Sequence, residues 1–136
     1  MIPRSMCLQP SPRVVLVEDN APTLRVLSDF LAQSGFDVAK AQTVAEAKAT
    51  IAQAGCKAVL LDMHLPDSTG QAFVRELRNH PDPEVSHVVI VLLTASSLAS
   101  DRDACLRAGA DLFLTKPMPL REVSRLLKAY IRSRFP

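Results

Sequence analysis

The sequence contains few cysteines and no long apolar run. The three cysteines, Cys7, Cys56 and Cys105, are widely spaced and odd in number. This spacing matches neither a disulfide framework nor a zinc site, so we expect free thiols in a reducing cytosol. No apolar run approaches the roughly 20 residues that a membrane helix needs, and we therefore expect a cytoplasmic chain without a membrane span.

The N-terminal segment lacks the apolar core of a signal peptide, and the sequence as a whole lacks internal repeats. Residues 1–12 contain three prolines, and we interpret them as a flexible tail. The remaining length suits a single domain, which we place at residues 13–134. No low-complexity segment interrupts that range.

Positive charge is concentrated at one end of the chain. The total net charge is +2, but residues 116–136 carry +5 and the preceding residues carry −3. A basic segment of this kind suits an acidic partner or nucleic acid, and the alternative interpretation is a solvated helix face. We favour the second interpretation and expect no direct nucleic-acid binding.

Short apolar runs alternate with amphipathic stretches along the chain. The runs have the length of buried strands and lie at residues 14–17, 36–39, 58–61, 88–93 and 112–114. Five helices are predicted between and after them, the second opened by a capping box at residues 43–46 and the fourth spanning 97–108. Pro81-Asp82-Pro83 is predicted to end the third helix. The alternation indicates an α/β fold with a doubly wound parallel sheet covered on both faces.

Polar residues stand at the ends of four predicted strands. Glu18 and Asp19 follow the first strand, Asp62 the third, Thr94 ends the fourth, and Lys116 follows the fifth. Parallel sheets bind ligands beyond the carboxyl ends of their strands, so these side chains should meet there. Three carboxylates repel one another unless a cation lies among them, and Mg²⁺ is a cation that suits such ligands. The set therefore predicts a site that handles a phosphoryl group.

These motifs resemble the receiver domain of bacterial two-component response regulators, of the chemotaxis-regulator type. The resemblance rests on Glu18-Asp19, the run from Leu60 to Asp67 with Gly70, Thr94-Ala95 and Lys116-Pro117. It covers residues 14 to about 132. It implies a flavodoxin-like sheet of five strands in the order 2-1-3-4-5, with five helices.

The resemblance also implies a role for each site residue. Asp62 would be the phosphoacceptor, an aspartyl nucleophile. Mg²⁺ would be held by Asp19, Asp62 and the backbone carbonyl of His64, and Glu18 would hold metal-bound water or assist directly. Lys116 would pair with a phosphoryl oxygen.

The same resemblance implies a conformational switch. The Thr94 hydroxyl would move to a phosphoryl oxygen, the Lys116-Pro117 bond would be cis, and Phe113 would swing inward on activation. An ordinary core position is the alternative interpretation for Phe113. Small Ala95 would leave the pocket open to attacking groups, and Ser96 and His64 would flank the path of water.

The function implied is a phosphorylation-dependent switch rather than a conventional enzyme. A sensor histidine kinase or a histidine phosphotransfer domain would supply the phosphoryl group, and a downstream protein would read the result. A homodimer through the fourth predicted helix, the fifth strand and the fifth predicted helix is a further expectation. The sequence leaves open a stand-alone regulator or a part of a longer protein such as a hybrid kinase.

Two other functional classes compete with this interpretation. An interaction module that works without phosphorylation would not need the complete set of site residues. An aspartate-nucleophile phosphatase resembling the haloacid dehalogenase group would carry a second aspartate two residues after the nucleophile. His64 occupies that position here.

Overall fold

The computed structural model describes residues 11–53, 55–95 and 98–136. Within these ranges the chain forms five strands and six helices. The strands are β1 (Arg13–Val17), β2 (Asp37–Ala41), β3 (Cys56–Leu61), β4 (Val89–Thr94) and β5 (Leu112–Thr115). The helices are α1 (Ala21–Gln33), α2 (Val44–Ile51), α3 (Gly70–Arg78), α4 (Pro83–Ser86), α5 (Ala99–Ala108) and α6 (Leu120–Arg134).

The strands form one sheet in the order β2-β1-β3-β4-β5. Every neighbouring pair is parallel, so the predicted fold class and strand order are confirmed. The three central strands are almost completely buried, as expected for a parallel sheet with helices on both faces.

The helices divide between the two faces of the sheet and bury one apolar cluster on each. Helices α1 and α6 cover one face, where Leu27 and Leu127 pack in one cluster with alternate side chains of β1, β3 and β4. Helices α2, α3, α4 and α5 cover the other face, which includes the fully buried Phe73 and Cys105. Successive strand residues point to opposite faces, so each apolar run supplies both clusters.

Side-chain caps mark the starts of two helices, and the second cap belongs to the capping box predicted at residues 43–46. Asn20 precedes α1, and its side chain accepts a hydrogen bond from the Thr23 N–H at 2.9 Å. Thr43 caps α2 in the same way and accepts from the Glu46 N–H at 3.1 Å. The Glu46 carboxylate reaches back to the N–H of Gln42, at 2.6 Å, one residue before the expected partner.

The predicted number of helices is wrong by one. Helix α3 ends at Arg78, before the two prolines, and Pro83 opens the short helix α4, for which Asp82 is the N-cap residue. Proline suits this first helical position because its missing N–H has no intrahelical partner there. The fourth and fifth predicted helices are therefore α5 and α6, and α5 begins at Ala99.

The predicted domain bounds can be compared with the described residues only in part. Residues 1–10 of the predicted tail, including Cys7, lie outside them. The Pro12 carbonyl already accepts a hydrogen bond from the Asp37 N–H at 2.9 Å. No helix among the described residues is long and apolar enough to cross a membrane.

Candidate functional site

The end of β1 delivers two carboxylates into different environments. The Glu18 N–H donates to the Ala41 carbonyl at 3.0 Å, which continues the pairing with β2 by one residue. The Glu18 side chain is buried, with 5% of its surface exposed, whereas Asp19 is exposed. Both lie at the carboxyl edge of the sheet, where α/β folds bind ligands.

Asp62 emerges from β3 beside them. Its N–H donates to the Val17 carbonyl at 3.1 Å, so β1 and β3 stay paired up to the site. Its carboxylate is partly exposed and accepts a weak hydrogen bond, 3.4 Å long, from the His64 N–H. The His64 side chain is exposed.

Glycine is required where α3 begins against the Asp62 segment. A Cβ atom on Gly70 would lie 2.8 Å from the Met63 Cα and 3.0 Å from the Asp62 carbonyl oxygen. The Gly70 N–H also donates to the Met63 carbonyl at 2.5 Å. The helix thus packs directly on the backbone that carries Asp62, at a distance that a side chain would prevent.

The three carboxylates form a compact acidic cluster. One oxygen each of Glu18, Asp19 and Asp62 lie within 4.8 Å of one another. Burial raises the pKa of Glu18, its hydrogen bond with Lys116 opposes this, and the charge of Asp62 raises it further. Carboxylate oxygens brought this close suit a small hard cation that retains several waters, so the residues present fit Mg²⁺.

Lys116 supplies the positive charge that the structure shows at this cluster. Its Nζ atom lies 2.9 Å from Glu18 Oε1 and 3.9 Å from Asp62 Oδ2. The Lys116-Pro117 peptide bond is cis, as the resemblance implies. The Lys116 N–H donates to the Thr94 carbonyl at 2.7 Å, which ties the ends of β4 and β5 together.

Thr94 and Phe113 lie on neighbouring strands below the acidic cluster. Thr94 is buried at the end of β4, with 1% of its surface exposed. Phe113 pairs in register with Leu92, two residues before Thr94, and is partly buried against the cluster of the α2, α3 and α5 face. Strand parity therefore directs Thr94 and Phe113 to the same face of the sheet. Ser96, expected beside the water path, lies outside the described residues.

Sequence reasoning missed the residues that support the site from a distance. Asp67 was assigned only to a motif, yet its carboxylate accepts from the N–H groups of Val44 and Ala45 at 2.9 and 3.1 Å. The Gln42 side chain donates to the Asp19 carbonyl at 3.3 Å. These partners are 22 or more residues apart in the chain, so no local sequence pattern could have revealed them.

Comparison with known proteins finds one family over most of the chain. Residues 14–128 match the family model described as response regulator receiver domain. The transcriptional regulatory protein PrrA of Mycobacterium tuberculosis is 38% identical over 91% of this chain and 52% of its own length. The KDP operon transcriptional regulatory protein KdpE of Escherichia coli is 34% identical over 88% of this chain and 51% of its own length. The chain thus spans about half the length of these curated relatives.

Solved structures show the same architecture. A receiver domain from Methanospirillum hungatei, described as CheY-like, superposes with a TM-score of 0.83 at 22% identity, covering 91% of this chain and 96% of its own. The receiver domain of the sensor histidine kinase PA1611 from Pseudomonas aeruginosa has a TM-score of 0.80 at 31% identity, covering 90% and 98%. That structure has a magnesium ion coordinated in its active-site cleft.

Proposed function

Because the chain belongs to the response regulator receiver domain family, we propose that Asp62 accepts a phosphoryl group from a histidine phosphodonor and that a partner reads the result. The observation that supports this proposal is the approach of Asp62 to two further carboxylates and to Lys116 at one edge of the sheet. Phosphoryl transfer depends mainly on positioning and on neutralisation of charge, and both are available here.

The transfer is a displacement at phosphorus. A carboxylate oxygen of Asp62 forms the new bond to phosphorus while the bond to the donor imidazole nitrogen breaks, and the imidazole keeps the electron pair. Lys116 pairs with one phosphoryl oxygen through its ammonium group. Asp19, Asp62 and the His64 carbonyl, assisted by Glu18, would hold a Mg²⁺ ion. When bound, that ion neutralises negative charge on the transferring group.

The phosphoryl group is later lost to water. Hydrolysis returns the Asp62 carboxylate and releases inorganic phosphate, so the chain assists its own phosphorylation and dephosphorylation without being a conventional enzyme. Ala95 follows Thr94 directly and offers only a methyl group beside the pocket. The His64 side chain is exposed, and we expect it to influence the approach of water, as the family resemblance implies.

The donor protein must reach Asp62 across the rim of the sheet. A groove of about 450 Å³ borders Lys116 between α1 and the segment after β5. Its lining is mainly apolar, and Val26 on α1 is 59% exposed. We assign this groove to the sensor histidine kinase or histidine phosphotransfer domain that supplies the phosphoryl group.

We assign the output surface to α5, β5 and α6. When the Thr94 hydroxyl moves to a phosphoryl oxygen, Phe113 on the same face fills the space that it leaves. A downstream protein or a second copy of the chain then binds this surface, next to Arg121, Arg125 and Lys128 of α6. Charge steering by these residues makes the association salt-dependent. We expect such a switch to operate in the cytoplasm.

Mass spectrometry tests the proposed phosphorylation. With Mg²⁺ and acetyl phosphate, the protein gains one acid-stable, base-labile phosphoryl group, and Asp62→Asn gains none because an amide is not a nucleophile of this kind. Asp37→Asn is the same change at the amino end of β2, away from the site, and this variant remains labelled. Undiminished labelling of Asp62→Asn, or full labelling with a chelator present, contradicts the proposal.

A further inference from the structure

The loop between β3 and α3 is a tight hairpin with Asp67 near its tip. His64 and Thr69 form an isolated antiparallel bridge. The Leu65 N–H donates to the Ser68 carbonyl at 3.2 Å, which closes the turn that contains Asp67. The bridge closes the base of the hairpin and the hydrogen bond closes its turn. A restraint on the tip is therefore transmitted to His64.

Asp67 provides that restraint by binding the start of α2. Its two carboxylate oxygens accept from the N–H groups of Val44, at 2.9 Å, and Ala45, at 3.1 Å. The next N–H, that of Glu46, is taken by the Thr43 hydroxyl at 3.1 Å. The first two N–H groups of α2 are therefore capped by a side chain from another loop. The hydrogen bond from Val44 is the main reason why the pKa of Asp67 is lowered.

The same segment between β2 and α2 also contacts the loop that carries Asp19. The Gln42 amide donates to the Asp19 carbonyl at 3.3 Å, and the Gln42 N–H is fixed by the Glu46 carboxylate at 2.6 Å. One residue earlier, the Ala41 carbonyl accepts from the Glu18 N–H at 3.0 Å. The start of α2 is thus bonded to both sides of the acidic cluster.

We propose that Asp67 and Gln42 are positioning residues of the cation site. They do not supply its ligands. They hold the His64 hairpin and the Asp19 loop against one common support, the start of α2, and so set the separation of the ligands. This inference rests on the proposed function, since it concerns the cation that serves phosphorylation.

The physical reason is the cost of ordering loops when a cation binds. Ligands on two separate loops lose conformational freedom on binding unless that freedom is already restricted in the metal-free protein. Residues that orient metal ligands commonly change metal affinity by about ten- to a hundredfold when they are mutated. Asp67 and Gln42 act through hydrogen bonds to backbone groups of segments that are distant in the chain.

A Mg²⁺ titration followed by amide chemical shifts of ¹⁵N-labelled protein tests the inference. Asp67→Ala and Asp67→Asn lose the same charge, but only asparagine retains an oxygen that can accept from α2. We expect the dissociation constant for Mg²⁺ to rise about tenfold in Asp67→Ala and only about threefold in Asp67→Asn. Hydrogen exchange of the Val44 and Ala45 amides in the metal-free protein should accelerate most in Asp67→Ala.

Gln42→Ala gives a second test without any change of charge, and its control is Gln53→Ala, two residues after the end of α2. We expect weaker Mg²⁺ binding, by about threefold, in the first variant only. Equal affinities of Asp67→Ala and Asp67→Asn, together with a wild-type affinity of Gln42→Ala, overturn the inference. A wild-type protein that binds no Mg²⁺ overturns the proposed function instead, and urea unfolding of each variant separates a loss of stability from a loss of affinity.

Discussion

Lys116 is bound more closely by the carboxylate of Glu18 than by that of Asp62. The two distances, 2.9 Å and 3.9 Å, place its ammonium group at the edge of the acidic cluster, where it neutralises part of the charge that a cation would neutralise. Glu18 is buried and its pKa is raised despite this partner. Three carboxylates lie close together beside the ammonium group of Lys116, and this excess of carboxylates favours the entry of a divalent cation.

The competition between Lys116 and the cation leads to a prediction at the residue scale. Lys116→Met removes one positive charge next to the cluster and keeps a side chain of similar length. We expect Mg²⁺ to bind roughly tenfold more tightly, which corresponds to about 1.4 kcal/mol, while phosphorylation by acetyl phosphate becomes much slower. Amide chemical shifts and mass spectrometry measure the two effects.

Lys57→Met is the matched control for that substitution. Lys57 lies at the beginning of β3, at the opposite edge of the sheet from Asp62. Its loss should leave both the Mg²⁺ affinity and the rate of phosphorylation close to those of the wild type. A Lys116→Met variant that binds Mg²⁺ no more tightly than the wild type would show that the lysine does not compete.

At the scale of secondary-structure elements, two arginines and one aspartate join the edge of the sheet that faces away from the site. Asp111, just before β5, binds Arg78 of α3 at 2.8 Å and Arg134 of α6 at 2.5 Å. It also accepts from the Ile90 N–H of β4 at 2.8 Å. Arg78 donates further to the Gly109, Ser86 and Val88 carbonyls. Helices from both faces of the sheet are thereby linked through one carboxylate.

The loss of this carboxylate should destabilise the fold strongly. The Asp111 side chain is only 14% exposed, and its removal leaves two partly buried guanidinium groups without their anion. We expect Asp111→Ala to lower the free energy of unfolding by about 3 kcal/mol, as measured by urea denaturation.

Asp103→Ala tests the same change at a surface ion pair. The Asp103 side chain on α5 is 54% exposed and pairs with its neighbour Arg102 at 3.6 Å. Exposed pairs of this kind contribute little, so the control should change stability by less than about 1 kcal/mol. Similar losses in the two variants would argue against a special contribution of Asp111.

For the molecule as a whole, signalling requires that an event at Asp62 change a surface elsewhere. Thr94 and Lys116 are bonded through their backbones at the ends of β4 and β5, and Phe113 lies on the same face as Thr94. We expect an equilibrium between two conformations, one with Thr94 and Phe113 in their present positions and one with both moved. A phosphoryl group shifts this equilibrium only by its differential affinity for the two conformations. The displacement should therefore appear along α5, β5 and the start of α6.

Beryllium fluoride, a mimic of the phosphoryl group, tests this coupling. We expect amide chemical-shift changes around Asp62 and also across residues 100–130 in the wild type, and none in Asp62→Asn. Phe113→Ala should retain the changes around Asp62 but lose most of those on α5. Changes confined to the Asp62 pocket in the wild type would contradict the proposed switch. Analytical ultracentrifugation of the same samples tests the expected homodimer.

The sequence by itself determined the order of the five strands, the places of five of the six helices that the structure describes, and the polar residues at the ends of β1, β3, β4 and β5. These features follow from local patterns: apolar runs, the caps Asn20 and Thr43, and polar residues directly after the runs. The α/β class followed from the alternation, and the strand order came from the family resemblance. The short helix α4 was missed because Pro83 can either end a helix or begin one, and its neighbours decide which occurs.

Only the tertiary structure decided which of these residues contact one another. It paired Lys116 chiefly with Glu18, 98 positions away, and it joined Asp67 to the start of α2. It also brought Arg78 and Arg134 to the carboxylate of Asp111. Each contact depends on how separate elements pack against one another. The local sequence pattern around each residue does not contain this information, because the pattern would be the same if the contact were absent. Local periodicity reports which face of an element is buried, whereas the geometry of a charged site is set by the distances that packing produces.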